Sequence, residues 1–314
     1  MNYPKITGLI AAPFTPMHED GSLNLSLIPQ YYSFLKFNNI TGAFINGSTG
    51  EGVSQTKEEK KLVVDAWADA TKTDKDFKII NLVGGTSLQD CKEMAAYTQD
   101  AGLYAVSFTA PFYFKPANAQ ALAECCKEVA AAAPQTAFYY YHIPVLTGCN
   151  ISMYDLLNAV NGSIPNFAGI KYTHEDFMDF LSCMYVDGGR YDMLWGRDEN
   201  MLSALVLGSF GAVGSTYNYT APLYHNMIDA FKKGDLIKAR DLQQKSIDMI
   251  RLLGKYGGIA TGKAFMKIAG LDCGNFRLPV KNMSGEQFES FKKDVAAVGF
   301  ESFKSRRVQE KVLH

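Results

Sequence analysis

The stretch Phe167-Ala-Gly-Ile-Lys-Tyr-Thr173 sets a single lysine in a short apolar run. A lysine among small and β-branched neighbours gives up part of its hydration, which disfavours the ammonium and lowers its pKa. The neutral amine attacks carbonyl carbons, and the Schiff base it forms is an electron sink for breaking or making a neighbouring C–C bond. The plainer reading of Lys171 is a strand-end lysine that snorkels to solvent. Tyr141 ends another apolar run, Thr136-Ala-Phe-Tyr-Tyr-Tyr141, and offers an acid/base group, because both Schiff-base formation and C–C cleavage move a proton near the reacting carbon. In Gly47-Ser-Thr-Gly-Glu51, the glycines let backbone approach a ligand, so Ser48 and Thr49 suit a carboxylate. Asp198 and Glu199, in Gly196-Arg-Asp-Glu199, suit the hydroxyls of a polyol. Taken singly, each has an ordinary structural meaning: a helix start, half-buried packing, a solvated or capping pair.

These groups matter only if the fold brings them together. Eight short apolar runs, at 6–12, 42–46, 78–84, 104–109, 136–141, 167–172, 191–195 and 211–215, start 20 to 36 residues apart, about one strand-plus-helix unit each. Helical patterns separate them. Thr56-Lys-Glu-Glu59 reads as a capping box, Ser87 opens a further helix, and Ser284-Gly-Glu-Gln287 opens one near the C-terminus. The spacing predicts an α/β fold, a closed (β/α)8 TIM barrel with a C-terminal helical extension; a doubly wound open sheet is the rival. The expected division is a barrel carrying the active site over 1–220 and a helical region packed on it over 221–314. Helical spacing runs over 221–256, and the polar tail from Phe303 is expected to fray. In a barrel of this kind the C-terminal strand ends carry the chemistry. The residues there are Ser48, Thr49, Tyr113, Tyr141, Lys171, Thr173, Gly196, Asp198, Glu199 and Ser215.

Composition narrows the partners. The chain has 314 residues, is 47% hydrophobic and carries a formal charge of −1. No dense Lys/Arg block is present, so neither nucleic acid nor an anionic membrane is an expected partner, and small molecules or further copies of the chain are. The six cysteines, at 91, 125, 126, 149, 183 and 273, show no metal-ligand spacing, and are read as reduced thiols of a cytoplasmic protein. The opening MNYPKITGLIAAPF resembles neither a signal peptide nor an anchor. Gly208, Gly211 and Gly214 are spaced by three and precede no helix in the manner of a dinucleotide loop.

Read together, GSTGE at 47, Tyr141 with the following HIPVLTG, GIKYT around Lys171, and GRDE through GAVGSTYN resemble the dihydrodipicolinate synthase and N-acetylneuraminate lyase family over nearly the whole chain. The resemblance implies a (β/α)8 barrel, a homotetramer, and a lysine Schiff base to a pyruvate unit. It makes Lys171 the Schiff-base lysine, Tyr141 the proton donor, and Ser48 with Thr49 the holders of the pyruvate carboxylate. Tyr113 becomes the aromatic hydroxyl that reaches a neighbouring subunit's site. The synthase branch carries an arginine in the loop after the tyrosine; this chain has Leu146 there, and His142 stands where an Asn is frequent. The chain is more similar to the sialic-acid branch. There Thr173, Gly196, Asp198, Glu199 and Ser215 would bind the hydroxyls of the open-chain sugar, and the implied reaction is retro-aldol cleavage of N-acetylneuraminate to N-acetylmannosamine and pyruvate. The implied chemistry needs no metal or other cofactor, because the protonated imine is the electron sink. A pyruvate-dependent aldolase or dehydratase for a 2-keto-3-deoxy sugar acid or 4-hydroxy-2-oxoglutarate is the alternative within that chemistry. An idle barrel that binds a keto acid or a protein partner is the alternative outside it.

Overall fold

Runs such as Gly42-Ala-Phe-Ile45 are buried on both faces, which a strand tolerates only when other structure covers both sides. Closing the sheet on itself and ringing it with helices meets that need. The computed structural model describes residues 3–307, and among them eight parallel strands close in sequence order into one barrel. They are β1 (Gly8–Ala11), β2 (Gly42–Ile45), β3 (Lys78–Leu82), β4 (Ala105–Phe108), β5 (Ala137–His142), β6 (Phe167–Tyr172), β7 (Asp192–Trp195) and β8 (Gly211–Gly214). Each falls within a residue or two of its expected run, and the open sheet is excluded.

The helices between the strands are α1 (Ile28–Phe37), α2 (Lys57–Thr71), α3 (Leu88–Asp100), α4 (Ala119–Ala131), the short α5 (Pro144–Thr147), α6 (Met153–Val160), α7 (Phe177–Cys183) and α8 (Met201–Val206). The start signals act as the sequence predicts. Thr56 and Glu59 cap each other's backbone N–H groups at 3.1 and 3.0 Å, Ser87 accepts from Asp90 N, and Ser284 forms a capping box with Gln287. After β8 come α9 (Tyr217–Lys232), α10 (Leu236–Lys255), α11 (Thr261–Ala269) and α12 (Gly285–Ala297). The 221–256 pattern is thus two helices, broken at Gly234, whose φ of 76° ends α9. The 220/221 position falls inside α9, at Thr220, where φ departs to −138° two residues before Pro222.

The tail differs from expectation where it is described. Phe303 and Ser305 are buried, Ser305 N donates to Tyr219 O at 2.7 Å, and Ser305 Oγ accepts from Ala221 N at 3.1 Å. The hydroxyl satisfies an N–H freed where the kinked helix cannot pair it. The rest of the expected frayed tail, 308–314, lies outside the described residues.

Two cores result. One fills the barrel with Ile10, Phe44, Ile80, Tyr139, Tyr141, Leu194 and Val213 among others; the larger one lies between strands and helices. Strict alternation along β6 would send Lys171 outward, because Ala168 belongs to the inner core and the residues two and four further on would follow it. A β-bulge corrects the phase: Phe138 pairs with Phe167, but Tyr139 pairs with Gly169. One extra residue enters β6, and Ala168 and Lys171 then both face inward. Gly169 suits this site because a Cβ there would collide with the Asp192 carbonyl oxygen of β7.

Candidate active site

The bulge seats Lys171 beside Tyr141, its register partner on β5, and across from Phe44 on β2. The Lys171 Nζ lies 3.8 Å from the Phe44 ring centroid and 4.1 Å from that of Tyr141. The two rings meet edge to face at 5.3 Å. Lys171 is only 4% exposed. Burial pulls its amine from the usual 10.5 down to about 7, with the Asp198 charge opposing the fall. Ring faces favour an ammonium by about 2 kcal/mol at best, which does not offset the lost hydration. The snorkelling alternative is excluded, since the amine ends inside the barrel.

Tyr141 is buried, and that burial pushes its phenol up to about 12; the Ser48 and Thr173 hydroxyls beside it oppose the rise. Thr173 Oγ1 closes no hydrogen bond of full geometry, and the Tyr141 phenol is a polar group beside it. Gly196 makes room for it, because a Cβ at that position would collide with Thr173 Oγ1. The phenol therefore stays protonated at neutral pH, a donor rather than a phenolate until a substrate changes its surroundings.

The turn after β2 is built tightly. Asn46 enters it at φ 54° and Glu51 leaves it at φ 58°, both in the left-handed region. Asn46 Nδ2 donates to Asn81 Oδ1 at 2.8 Å, while Gly50 O accepts from Thr15 Oγ1 at 2.6 Å and Gln55 Nε2 at 2.7 Å. Thr49 is buried and Ser48 half-buried. A 3-10 turn, Gly52–Ser54, follows directly; α2 starts only at Lys57.

At the ends of β7 and β8 the groups divide. Asp198 is buried, and burial raises its carboxyl to about 6 against the pull of Thr216. Its Oδ2 accepts from Thr216 N and Thr216 Oγ1, whereas Oδ1 closes no hydrogen bond and occupies the place a Cβ of Gly214 would take. Glu199 instead pairs with Arg197 at 2.8 Å, and Arg197 also pairs with Glu175 at 2.8 Å. Ser215 is half-buried, and its carbonyl accepts from Asn218 Nδ2 at 2.7 Å. Tyr113 stands apart from this constellation within the single chain: it is 76% exposed and packs edge to face on the exposed Phe114. His142 faces out of the barrel. It is buried against Tyr172 and His174, and loss of hydration pulls its imidazole down to about 4, so it is neutral.

Three features escape a reading of the sequence. Phe44 is a strand residue like many others until the closed barrel sets it over Lys171. Thr216 follows Ser215 in a motif already singled out, but its bond to Asp198 spans two strands. Glu51 pairs with Lys263 of α11 at 2.9 Å, both side chains nearly unexposed. Lys263 Nζ also donates to Asn275 O, and Glu51 Oε2 accepts from Arg277 N. A lysine on the apolar side of α11 was the available signal. Among the described residues no group of three or more His, Cys, Asp or Glu is placed to hold a metal ion, and no helix is long and apolar enough to cross a membrane.

The chain is similar to known proteins over nearly its whole length. The N-acetylneuraminate lyase of Homo sapiens is 40% identical over 313 residues, 96% of each chain. The solved N-acetylneuraminate lyase of Proteus mirabilis superposes with a TM-score of 0.91 at 38% identity, covering 95% of this chain and 100% of that one. A sialic acid aldolase of Ruminococcus gnavus, solved as a catalytic lysine mutant, superposes with a TM-score of 0.86 at 26% identity, covering 94% of this chain and 97% of that one. Residues 5–298 match the dihydrodipicolinate synthetase family, and with that match joined to the closed barrel and its buried lysine, the chain belongs to this family.

Proposed function

We propose that the chain is a class I aldolase that cleaves N-acetylneuraminate to N-acetylmannosamine and pyruvate, reversibly, through a Schiff base on Lys171. The observation that carries the reading is a fully enclosed amine held at about 7, so that a large fraction is neutral and nucleophilic at physiological pH. Lys171 Nζ adds to the C2 ketone of the open-chain sugar acid, and loss of water leaves an iminium. Its positive nitrogen takes up the electron pair as the C3–C4 bond breaks. Tyr141 gives its proton to the departing C2 hydroxyl, takes the C4 hydroxyl proton as the C3–C4 bond breaks and passes it to C3; a phenol held protonated and flanked by Ser48 and Thr173 suits a group that must give and regain a proton. The enamine is protonated at C3, water hydrolyses the imine, and pyruvate leaves.

The remaining roles are those the family resemblance implies. Ser48 and Thr49, in the tight turn after β2, hold the pyruvate carboxylate. Thr173, Gly196, Asp198, Glu199 and Ser215 face the sugar half. Of these, Thr173 and Asp198 offer atoms that close no hydrogen bond of full geometry, while Glu199 would have to share its carboxylate with Arg197. Tyr113 serves a neighbouring subunit in a homotetramer; its exposed ring beside Phe114 favours cover by another chain. A cytoplasmic location belongs to the same reading, and six unpaired cysteines support it.

The test is borohydride reduction in the presence of pyruvate, followed by mass spectrometry with peptide mapping. A stable adduct on the peptide containing Lys171, with N-acetylneuraminate cleaved and N-acetylmannosamine formed, is the expected result. No adduct, or an adduct on another lysine, would sink the Schiff-base reading. An adduct without sugar-acid cleavage would move the activity to another aldehyde partner.

A further inference from the structure

Asp198 is held from behind by a line of buried side chains that ends on a helix of the C-terminal region. Its Oδ2 takes the Thr216 hydroxyl at 2.5 Å and the Thr216 N–H at 3.0 Å. Thr216 Oγ1 lies 2.7 Å from the Tyr224 hydroxyl, which lies 2.7 Å from Ser246 Oγ on α10. Thr216, Tyr224 and Ser246 are at most 2% exposed. A hydroxyl has one proton to give. With that of Thr216 directed to the carboxylate, Tyr224 must donate to Thr216 and Ser246 to Tyr224, so the line has one direction. Three residues before Ser246, on the same face of α10, Gln243 donates Nε2 to the Asp198 backbone carbonyl at 3.2 Å and accepts Leu202 N at 2.9 Å. Both the backbone and one carboxylate oxygen of Asp198 are therefore fixed. The other oxygen, Oδ1, is buried and closes no hydrogen bond, in space left by Gly214; the Tyr217 hydroxyl stands beside the carboxylate but donates to Met201 Sδ at 3.8 Å. A buried acceptor left open carries a free-energy cost, which a ligand hydroxyl would remove.

We propose that Gln243 and Ser246 of α10, the latter acting through Tyr224 and Thr216, are positioning residues that lock the Asp198 carboxylate so that Oδ1 alone meets a hydroxyl of the sugar half. This rests on the aldolase reading above. It gives α10 a part in sugar recognition and none in capture of the keto acid, since the line ends on Asp198 and does not touch Lys171 or the turn at Ser48. An interaction made equally in ground and transition states raises KM on removal and leaves kcat in place.

The experiment uses the full chain with Tyr224→Phe, Thr216→Val and Ser246→Ala, and measures pyruvate trapping by borohydride alongside kcat and KM for N-acetylneuraminate. The expected result is a KM raised about tenfold, the worth of one buried hydrogen bond, with kcat and pyruvate trapping within about twofold. Thr216→Ser, which keeps the hydroxyl, should restore KM. An unchanged KM in the folded variants overturns the proposal, as does a parallel loss of trapping and cleavage, which would mark a general structural role. Should Tyr224→Phe fail to fold, the Ser246→Ala and Thr216 pair decide. Failure of trapping in the unsubstituted chain would instead overturn the Schiff-base reading, a result separate from these.

Discussion

At the scale of single residues, the site turns on moving two titratable groups in ways that water would not allow. Lys171 is brought down to about 7 and Tyr141 pushed up to about 12, both chiefly by burial. In the proposed mechanism the nucleophile is the unprotonated Lys171 amine, so the rate of pyruvate capture, followed by cyanoborohydride trapping, should rise with pH through a midpoint near 7. The Asp198 charge favours the ammonium, and Asp198→Asn should therefore move that midpoint to lower pH; a shift upward would contradict the arrangement. The same burial has a stability consequence. The unfolded chain holds this proton up to about pH 10.5, whereas the folded amine releases it near 7, so the unfolded state binds more protons between those limits and native stability climbs with pH there. Lys171→Met should abolish cleavage yet stabilise the fold at pH 7 by as much as about 4 kcal/mol. In urea titrations the gap should narrow as pH rises from 7 and close only above about 10.5, where both states have lost the proton.

At the scale of elements, the decisive feature is the irregularity in β6. An extra residue between Phe167 and Gly169 sets Lys171 inward, in register with Tyr141, and sends Ile170 and Tyr172 to the outer core. Alternating hydrophobicity could not reveal this, because every residue of β6 is buried and either phase satisfies the pattern. The bulge also depends on a missing side chain, since a Cβ at Gly169 would meet the Asp192 carbonyl oxygen. Gly169→Ala should therefore push β6 from β7, cost about 2 kcal/mol or more, and lower the trapping rate along with thermal stability. A variant with full trapping and unchanged melting would show that the bulge does not aim the lysine.

At the scale of the whole molecule, the C-terminal helices do more than cover the barrel. Lys263 of α11 and the backbone N–H of Arg277, in the loop that follows it, grip Glu51, the left-handed residue that closes the turn carrying Ser48 and Thr49. Arg277 also pairs with Glu59 of α2 at 2.5 Å. The Lys263–Glu51 pair is nearly unexposed on both sides, and removing one partner leaves an uncompensated buried charge. Lys263→Met should destabilise the fold by about 3 kcal/mol or more and raise the pyruvate concentration needed for half-maximal trapping. The double substitution with Glu51→Gln should recover part of the stability in denaturant unfolding, because no charge is then stranded. Additive losses would show that the two side chains act independently.

The order of eight strand-and-helix units, the capped helix starts and the residue types at each strand end were all legible in the sequence, because they follow from local periodicity and local hydrogen bonding. That Lys171, Tyr141, Ser48 and Asp198 would gather at one end of the barrel was legible too, since these types sit at its strand ends. The facing of Lys171, the extent of its desolvation, the single open oxygen of Asp198 and the clamp from Lys263 were decided only by the tertiary structure. Each depends on groups far apart along the chain, 212 residues in the case of Glu51 and Lys263. Burial and pairing of that kind are properties of the closed barrel and its packed helices, and no local run of residues encodes them.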